Sequence, residues 1–193
     1  MRKVAIIDDS PTDRLVIRGF IEDKGWQVVG EGSDGLEAVE VCRRSRPDVV
    51  LMDIKMPGKD GVEATMDINA HCPTPVVLLT GVEDERTVKR AIDAGAMAYL
   101  AKPVREEELF PAIELAVSRY REFVRLRKEN VDLRETLEAR KQIEKAKGLL
   151  MEKEGMTEAE AYSKIQKISM NRRISMREVA EIIIQTLGAG TGR

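Results

Sequence analysis

The chain has little of what metal–sulfur, haem or disulfide chemistry requires. Two cysteines, Cys42 and Cys72, and a single histidine, His71, stand in 193 residues without ligand spacing. That pattern excludes a zinc cluster and a disulfide framework. Both thiols read as reduced packing residues of a cytoplasmic protein. Aromatic residues are scarce, at 4%, against 34% charged residues, a balance suited to a water-soluble, helix-rich chain. No apolar run approaches the ~20 residues that span a bilayer. The N-terminus enters a strand at once, with no signal-peptide pattern. Beyond residue 106 strand signals are absent as well, so the sheet-forming part is confined to the front.

That front part alternates strand and helix five times. Short apolar runs predict strands at 4–7, 27–30, 49–52, 76–79 and 98–100, with helices at 11–24, 35–45, 61–70 and 84–94. Ser10-Pro11 supplies an N-cap and an N1 proline, and Gly25 and Gly95 suit helix C-termini. Such alternation implies a doubly wound parallel α/β sheet covered on both faces. Charged residues stand where the strands end. Asp8-Asp9 follows Val4-Ala5-Ile6-Ile7, Asp53 follows Val49-Val50-Leu51-Met52, and Lys102 follows Ala98-Tyr99-Leu100-Ala101. All C-terminal strand ends of a parallel sheet share one edge, so three carboxylates and one ammonium converge there.

Clustered carboxylates are tolerable around a divalent cation or a phosphoryl group. Asp9 and Asp53 are candidate magnesium ligands, Asp8 holds a bound water, and the Lys55 carbonyl completes the set. Asp53 at the centre is a candidate nucleophile, since aspartyl phosphates are recognised covalent intermediates. Lys102 then serves a phosphoryl oxygen as a point charge, and Thr80 offers a hydroxyl.

The pieces Ile7-Asp8-Asp9, Met52-Asp53-Ile54-Lys55-Met56-Pro57-Gly58-Lys59-Asp60-Gly61, Leu79-Thr80-Gly81, Ala94-Gly95-Ala96 and Lys102-Pro103 resemble a response-regulator receiver domain over residues 1–118. The resemblance implies a flavodoxin-like strand order of 2-1-3-4-5 and Asp53 as phosphoacceptor. It implies Asp8 and Asp9 as the magnesium-binding acid pair, Thr80 as switch hydroxyl, Lys102 before a cis Pro103, and Tyr99 as the rotating aromatic. It further implies a sensor histidine kinase as phosphodonor.

From 106 to about 154 helix formers run with few breaks. Ile113, Val117, Tyr120 and Val124 form one apolar stripe; Leu126, Asn130, Leu133 and Leu137 form another, out of phase with the first. A coiled coil must therefore slip near 120–126, and Asn130 at a core position selects register and oligomer state. Residues 119–137 are thus a helical linker and a candidate coiled coil. Gly155 ends the run, and Thr157–Glu160 and Ser175–Glu178 are capping-box patterns that open two more helices. Leu149, Leu150, Ala161, Tyr162, Ile165, Ile168, Val179, Ile182 and Ile183 are the expected core of a three-helix domain over 138–187, with Tyr162 read as buried. About 55 residues in three helices are marginal alone, which favours a homodimer. The tail 188–193 is glycine-rich and expected to be flexible.

Charge divides along the same line. Residues 1–108 hold 15 Lys+Arg against 21 Asp+Glu, and the remainder holds 17 against 13. That asymmetry is read in two ways, as an anionic partner for the basic half or as ordinary scatter of charge on solvated faces. Arg140 and Lys147 share a helix face, Gly148 sits in mid-helix, and Lys164, Lys167, Arg172 and Arg173 follow. Glycine there reflects either close helix packing or close approach of a ligand. The run Arg140-Lys141-Gln142-Ile143-Glu144-Lys145-Ala146-Lys147-Gly148-Leu149-Leu150-Met151 resembles the first helix of the ANTAR family of RNA-binding antitermination domains. Ala161-Tyr162, Met170 and Val179-Ala180 continue the pattern, with Ser169 in place of the usual alanine. The resemblance implies an RNA partner, hairpin loops in leader transcripts, met by a surface of Arg140, Lys147, Gly148, Lys164, Arg172 and Arg173.

Three alternatives differ in class. A DNA-binding regulator needs a basic recognition helix, yet the last helix, about 176–187, carries only Arg177. An independent phosphatase would use Asp8 or Asp9 as nucleophile, normally with acid-x-acid spacing and a cap that this chain lacks. A protein-interaction adaptor would use no nucleic acid. The expected protein is a phosphoacceptor regulator rather than an enzyme, with at most autophosphorylation from small donors and autodephosphorylation.

Overall fold

The computed structural model describes residues 1–81 and 85–188. Residue 84, at the predicted start of the fourth helix, and residues 189–193 of the predicted tail lie outside the described residues. The chain divides into two compact units, Met1–Val124 and Arg125–Arg193.

In the first unit β1 (Lys3–Ile7), β2 (Gln27–Gly32), β3 (Val49–Asp53), β4 (Val76–Thr80) and β5 (Ala98–Ala101) form one sheet. All pairings are parallel, in the order β2-β1-β3-β4-β5. Helices α1 (Pro11–Asp23), α2 (Gly35–Ser45), α3 (Gly61–His71) and α4 (Glu85–Asp93) alternate with the strands, and α5 (Glu106–Glu154) follows β5. The period-2 alternation of side chains sorts the apolar residues onto two faces. Ala5, Ile7, Val50, Met52, Val76 and Leu78 pack with α2 and α3. Their neighbours Val4, Ile6, Val49, Leu51, Val77 and Leu79 pack with Ile17 and Ile21 of α1 and with Leu109, Ile113, Ala116 and Val117 of α5. Every residue of β3 and β4 is buried, as central strands covered on both faces must be.

Local signals set the ends. Ser10 accepts the Asp13 amide at 3.3 Å, with Pro11 opening α1. Asp60 caps α3, its Oδ1 accepting the Glu63 amide at 2.8 Å. Gly61, at the first position of α3, is required by close approach: a β-carbon there would overlap the carbonyl oxygen of Asp53.

The two apolar stripes of α5 separate as their phase difference demands. Ile113 and Val117 are buried against the sheet, whereas Leu126, Leu133 and Leu137 are more than half exposed. In the second unit α5 packs with α6 (Glu158–Arg172) and α7 (Met176–Gly188). Both capping boxes form: Thr157 with Glu160, and Ser175 with Glu178. The core is Ala146, Leu150, Ala161, Ile165, Val179, Ala180 and Ile183. The expected core is corrected at three positions: Tyr162 and Ile182 are each 45% exposed, and Leu149 is only half-buried and outside the core cluster. On α6 the inward positions are Ala161, Ile165 and Ile168, which rotates residue 162 to the flank. On α7 Val179, Ala180 and Ile183 face inward, leaving Ile182 outside.

Substituting Gly61 by alanine should destabilise the first unit by about 3 kcal/mol, since the clash is with backbone that cannot swing aside. Urea unfolding measures it; an unchanged midpoint would contradict the close approach.

Candidate functional site

The C-terminal ends of β1, β3, β4 and β5 gather the predicted residues at one edge. Asp8 is fully buried just beyond β1, Asp53 closes β3 at 6% exposure, and Thr80 closes β4, also buried. Asp9, next along, is exposed. Carboxylate oxygens of Asp8, Asp9 and Asp53 lie within 4.8 Å of one another. Asp8 Oδ1 accepts the Ser10 amide at 2.9 Å, and Asp53 Oδ1 accepts the Lys55 amide at 3.2 Å. Lys102, which follows β5 ahead of a cis bond to Pro103, brings its ammonium 2.7 Å from Asp53 Oδ2. Tyr99 is 51% exposed on β5.

Two contacts of the ammonium need separate treatment. Asp8 Oδ2 stands 2.7 Å from Lys102 Nζ but out of line for a hydrogen bond, so this is an ion pair; the buried oxygen accepts no hydrogen bond. Asp13 Oδ2, from the first turn of α1, accepts a hydrogen bond from Lys102 at 3.0 Å. Sequence reasoning missed Asp13, because Ser10-Pro11-Thr12-Asp13 has the form of a helix start whose acid serves the helix.

The electrostatics follow from burial and neighbours. Desolvation raises the Asp8 carboxyl above the ordinary range, and Asp53 adds repulsion, against the favourable contacts of Lys102 and the Ser10 amide. Burial alone would lower Lys102, yet Asp53, Asp8 and Asp13 together raise it above the usual lysine value. The site therefore holds a permanent cation among acids that one cation does not neutralise. Three hard oxygen donors, one of them a buried oxygen without a hydrogen bond, suit a divalent cation of the magnesium class. A cavity of about 530 Å³ opens beside them, lined by Asp9, Lys55, Asp60, Thr80, Thr87 and Arg90. Arg90 of α4 reaches Asp60 Oδ2 at 2.6 Å.

In the second unit the six predicted surface residues divide. Arg140, Gly148, Arg172 and Arg173 are exposed. Lys147 is only 7% exposed: its stem is covered, and its ammonium meets Glu158 at 2.6 Å and Glu144 at 3.0 Å. Those carboxylates raise its pKa, Glu158 first. Lys164 is paired with Glu154. Nothing lies within 4 Å of a β-carbon added at Gly148, so close helix packing within this chain does not explain that glycine.

The comparisons agree with this geometry. Family models match a response regulator receiver domain at residues 4–114 and an ANTAR domain at 131–184. The chain is 47% identical over 187 residues to the transcriptional regulatory protein PdtaR of Mycobacterium tuberculosis, covering 97% of this chain and 91% of that protein. It is similar over 103 residues, 52% of its length, to protein-glutamate methylesterase/protein-glutamine glutaminase 3 of Hahella chejuensis, at 44% identity and 30% of that protein. Among solved structures, the signal receiver domain of a modulated diguanylate cyclase from Desulfovibrio desulfuricans gives a TM-score of 0.59 at 33% identity, covering 63% of this chain and 97% of that one. The receiver domain of sensor histidine kinase PA1611 from Pseudomonas aeruginosa, with a magnesium ion coordinated in its active-site cleft, gives 0.55 at 29%, covering 61% and 98%.

Asp8→Asn should raise the thermal midpoint of the metal-free protein at neutral pH, by on the order of 1 kcal/mol, because a penalised buried charge disappears. The sign with pH is fixed. Ionisation costs the folded state stability as pH rises through the raised carboxyl, and below the unfolded carboxylate range the wild type is protonated too. The difference should therefore vanish in acid and be full at pH 7. Calorimetry in chelator tests this; a lower midpoint at pH 7 contradicts it.

Proposed function

The chain belongs to the response regulator family and carries an ANTAR domain; from that membership we propose that phosphorylation of Asp53 governs an RNA-binding, antiterminator-type output. The observation that carries the reading is the convergence of three carboxylates with Lys102, whose ammonium is 2.7 Å from Asp53. An Asp53 oxygen attacks the phosphorus of a phosphohistidine on a sensor histidine kinase; the P–N bond breaks and the imidazole leaves. Asp8, Asp9 and Asp53, with the Lys55 carbonyl, are the residues that would hold a magnesium-class cation, which neutralises phosphoryl oxygens when bound. Lys102 holds one phosphoryl oxygen and Thr80 donates to another. Movement of Thr80 leaves room for Tyr99, now exposed, to turn inward, and the surface of α4 and β5 changes with it.

The output rests on the second unit. Among the described residues no helix is long and apolar enough to cross a membrane, and the reading places the protein in the cytoplasm. The exposed stripe Leu126, Leu133 and Leu137, with Asn130 between, pairs two copies as a coiled coil. Arg140, Arg172 and Arg173 contact phosphates of hairpin loops in leader transcripts, Gly148 admits the backbone closely, and binding prevents a terminator from forming. Lys147 and Lys164, held by glutamates, contribute less. The one basic residue of α7, Arg177, hydrogen-bonds Glu181 at 2.9 Å, which argues against a major-groove recognition helix.

With magnesium and acetyl phosphate, the wild type should gain one phosphoryl group by mass and Asp53→Asn none. Hairpin affinity should rise about tenfold on phosphorylation of the wild type only. Equal labelling of both proteins, or equal RNA affinity with and without phosphate, overturns the reading.

Arg140→Ala and Arg172→Ala should each weaken hairpin binding and reduce the salt slope by about one. Gly148→Ala should stabilise the second unit by about 1 kcal/mol while weakening binding. Unchanged RNA affinity in all three removes this surface from consideration.

A further inference from the structure

Asp13 has a role in the cleft that its position in the helix does not explain. It is the third residue of α1, where an acid can turn back to the amide of the N-cap residue. That amide, Ser10 N–H, is already taken by Asp8 Oδ1 at 2.9 Å. The Asp13 carboxylate faces Lys102 instead, at 3.0 Å. It is absent from the trio of acids that could share a cation, and the side-chain contact shown for its carboxylate is with the ammonium.

The ammonium's two aligned hydrogen bonds run to Asp53 and Asp13, and Asp8 adds an ion pair. Of the three acids Asp13 is the most open, with a side chain 45% exposed, against 0% for Asp8 and 8% for Asp53. It also makes the longest of the three contacts. We propose that Asp13 is a positioning residue that tethers Lys102 in the resting site and competes with the phosphoryl group on Asp53 for that ammonium.

The proposal rests on Asp53 as phosphoacceptor. A phosphoryl dianion beside Asp53 draws Lys102 by charge-assisted hydrogen bonding, and Asp13 gives the ammonium up. Its own negative charge then stands near the phosphoryl oxygens and opposes them, while the same charge favours a cation in the cleft. Asp13 thus holds phosphoryl occupancy below what the remaining residues would allow. Removing the charge has opposite effects on the two ligands, a signature that a helix-capping role alone does not produce.

The test compares the full-length wild type with Asp13→Asn, Asp13→Ala and Asp13→Glu. At saturating magnesium, fluoroberyllate, a phosphoryl mimic, should bind the Asn and Ala variants about three- to tenfold more tightly by calorimetry. Magnesium alone should bind them about two- to threefold more weakly. Raising the salt to about 0.5 M should shrink both differences, because Asp13 is half open to solvent. Asp13→Glu, which keeps the charge, should stay near the wild type. In the metal-free protein, NMR of the Lys102 ammonium should show faster exchange with water in the Asn and Ala variants. Equal or weaker fluoroberyllate binding by both variants, or an unchanged ammonium signal, overturns the proposal. A wild type that binds no mimic brings down the phosphoacceptor reading instead, and the ammonium signal then still decides whether Asp13 holds Lys102.

Discussion

One ammonium set among carboxylates is the interaction on which the cleft depends. Lys102 pairs with the carboxylates of Asp8, Asp13 and Asp53, and among the described residues no second cation is shown paired with the carboxylate of Asp8 or Asp53, Arg14 reaching only the Asp8 carbonyl oxygen. Such an arrangement is costly: burial penalises the ionised Asp8, and its neighbour Asp53 adds repulsion. It persists because the elements that carry it cannot relax. β3 and β4 are buried throughout, and the turn after Asp53 is so close that only glycine fits at 61. The rigid sheet holds more carboxylate than ammonium at its edge, an arrangement suited to a hard cation.

The apolar pattern of α5 carries the consequence forward. The start of its first stripe is spent on the sheet, through Ile113 and Val117, whereas Val124 at the stripe's end is 47% exposed. Its second stripe, Leu126, Leu133 and Leu137, is more than half exposed among the described residues. Were the two in phase, one continuous face would have to serve two incompatible partners. The offset lets one part of the helix belong to the sheet core while another keeps its leucines exposed. Asn130 among the leucines fits that division, since a polar residue in such a stripe trades stability for a defined register.

Much of this was legible in the sequence because it depends on periodicity and on strand ends. Runs such as Val49-Val50-Leu51-Met52 announce a strand buried on both faces, and the acid that follows has only one place to go. Capping boxes at Thr157 and Ser175 were equally clear, since their hydrogen bonds are local. What stayed hidden depends on which way a helix turns. Tyr162 looked like core because it is large, but the small Ala161 holds the inward position. Asp13 carries no sequence signal beyond its place in a helix start, and only the fold brings Lys102, 89 positions away, within 3.0 Å of it.

The basic half is less basic than its formal charge suggests, and this bears on how it could read RNA. Lys147 is occupied by Glu144 and Glu158, and Lys164 by Glu154. Lys147–Glu158 and Lys164–Glu154 join α5 to α6 and so serve the three-helix unit before they serve any ligand. Arginines at 140, 172 and 173 remain exposed, and a guanidinium suits phosphate better than an ammonium does. Arg173 is fixed by a left-handed backbone at the end of α6, with φ of 54°, and Gly148 lies open on α5 with no neighbour to clash with an added methyl group. Under the proposed RNA-binding output, such a surface would select by shape more than by charge, as a structured hairpin loop requires and a uniform duplex backbone does not.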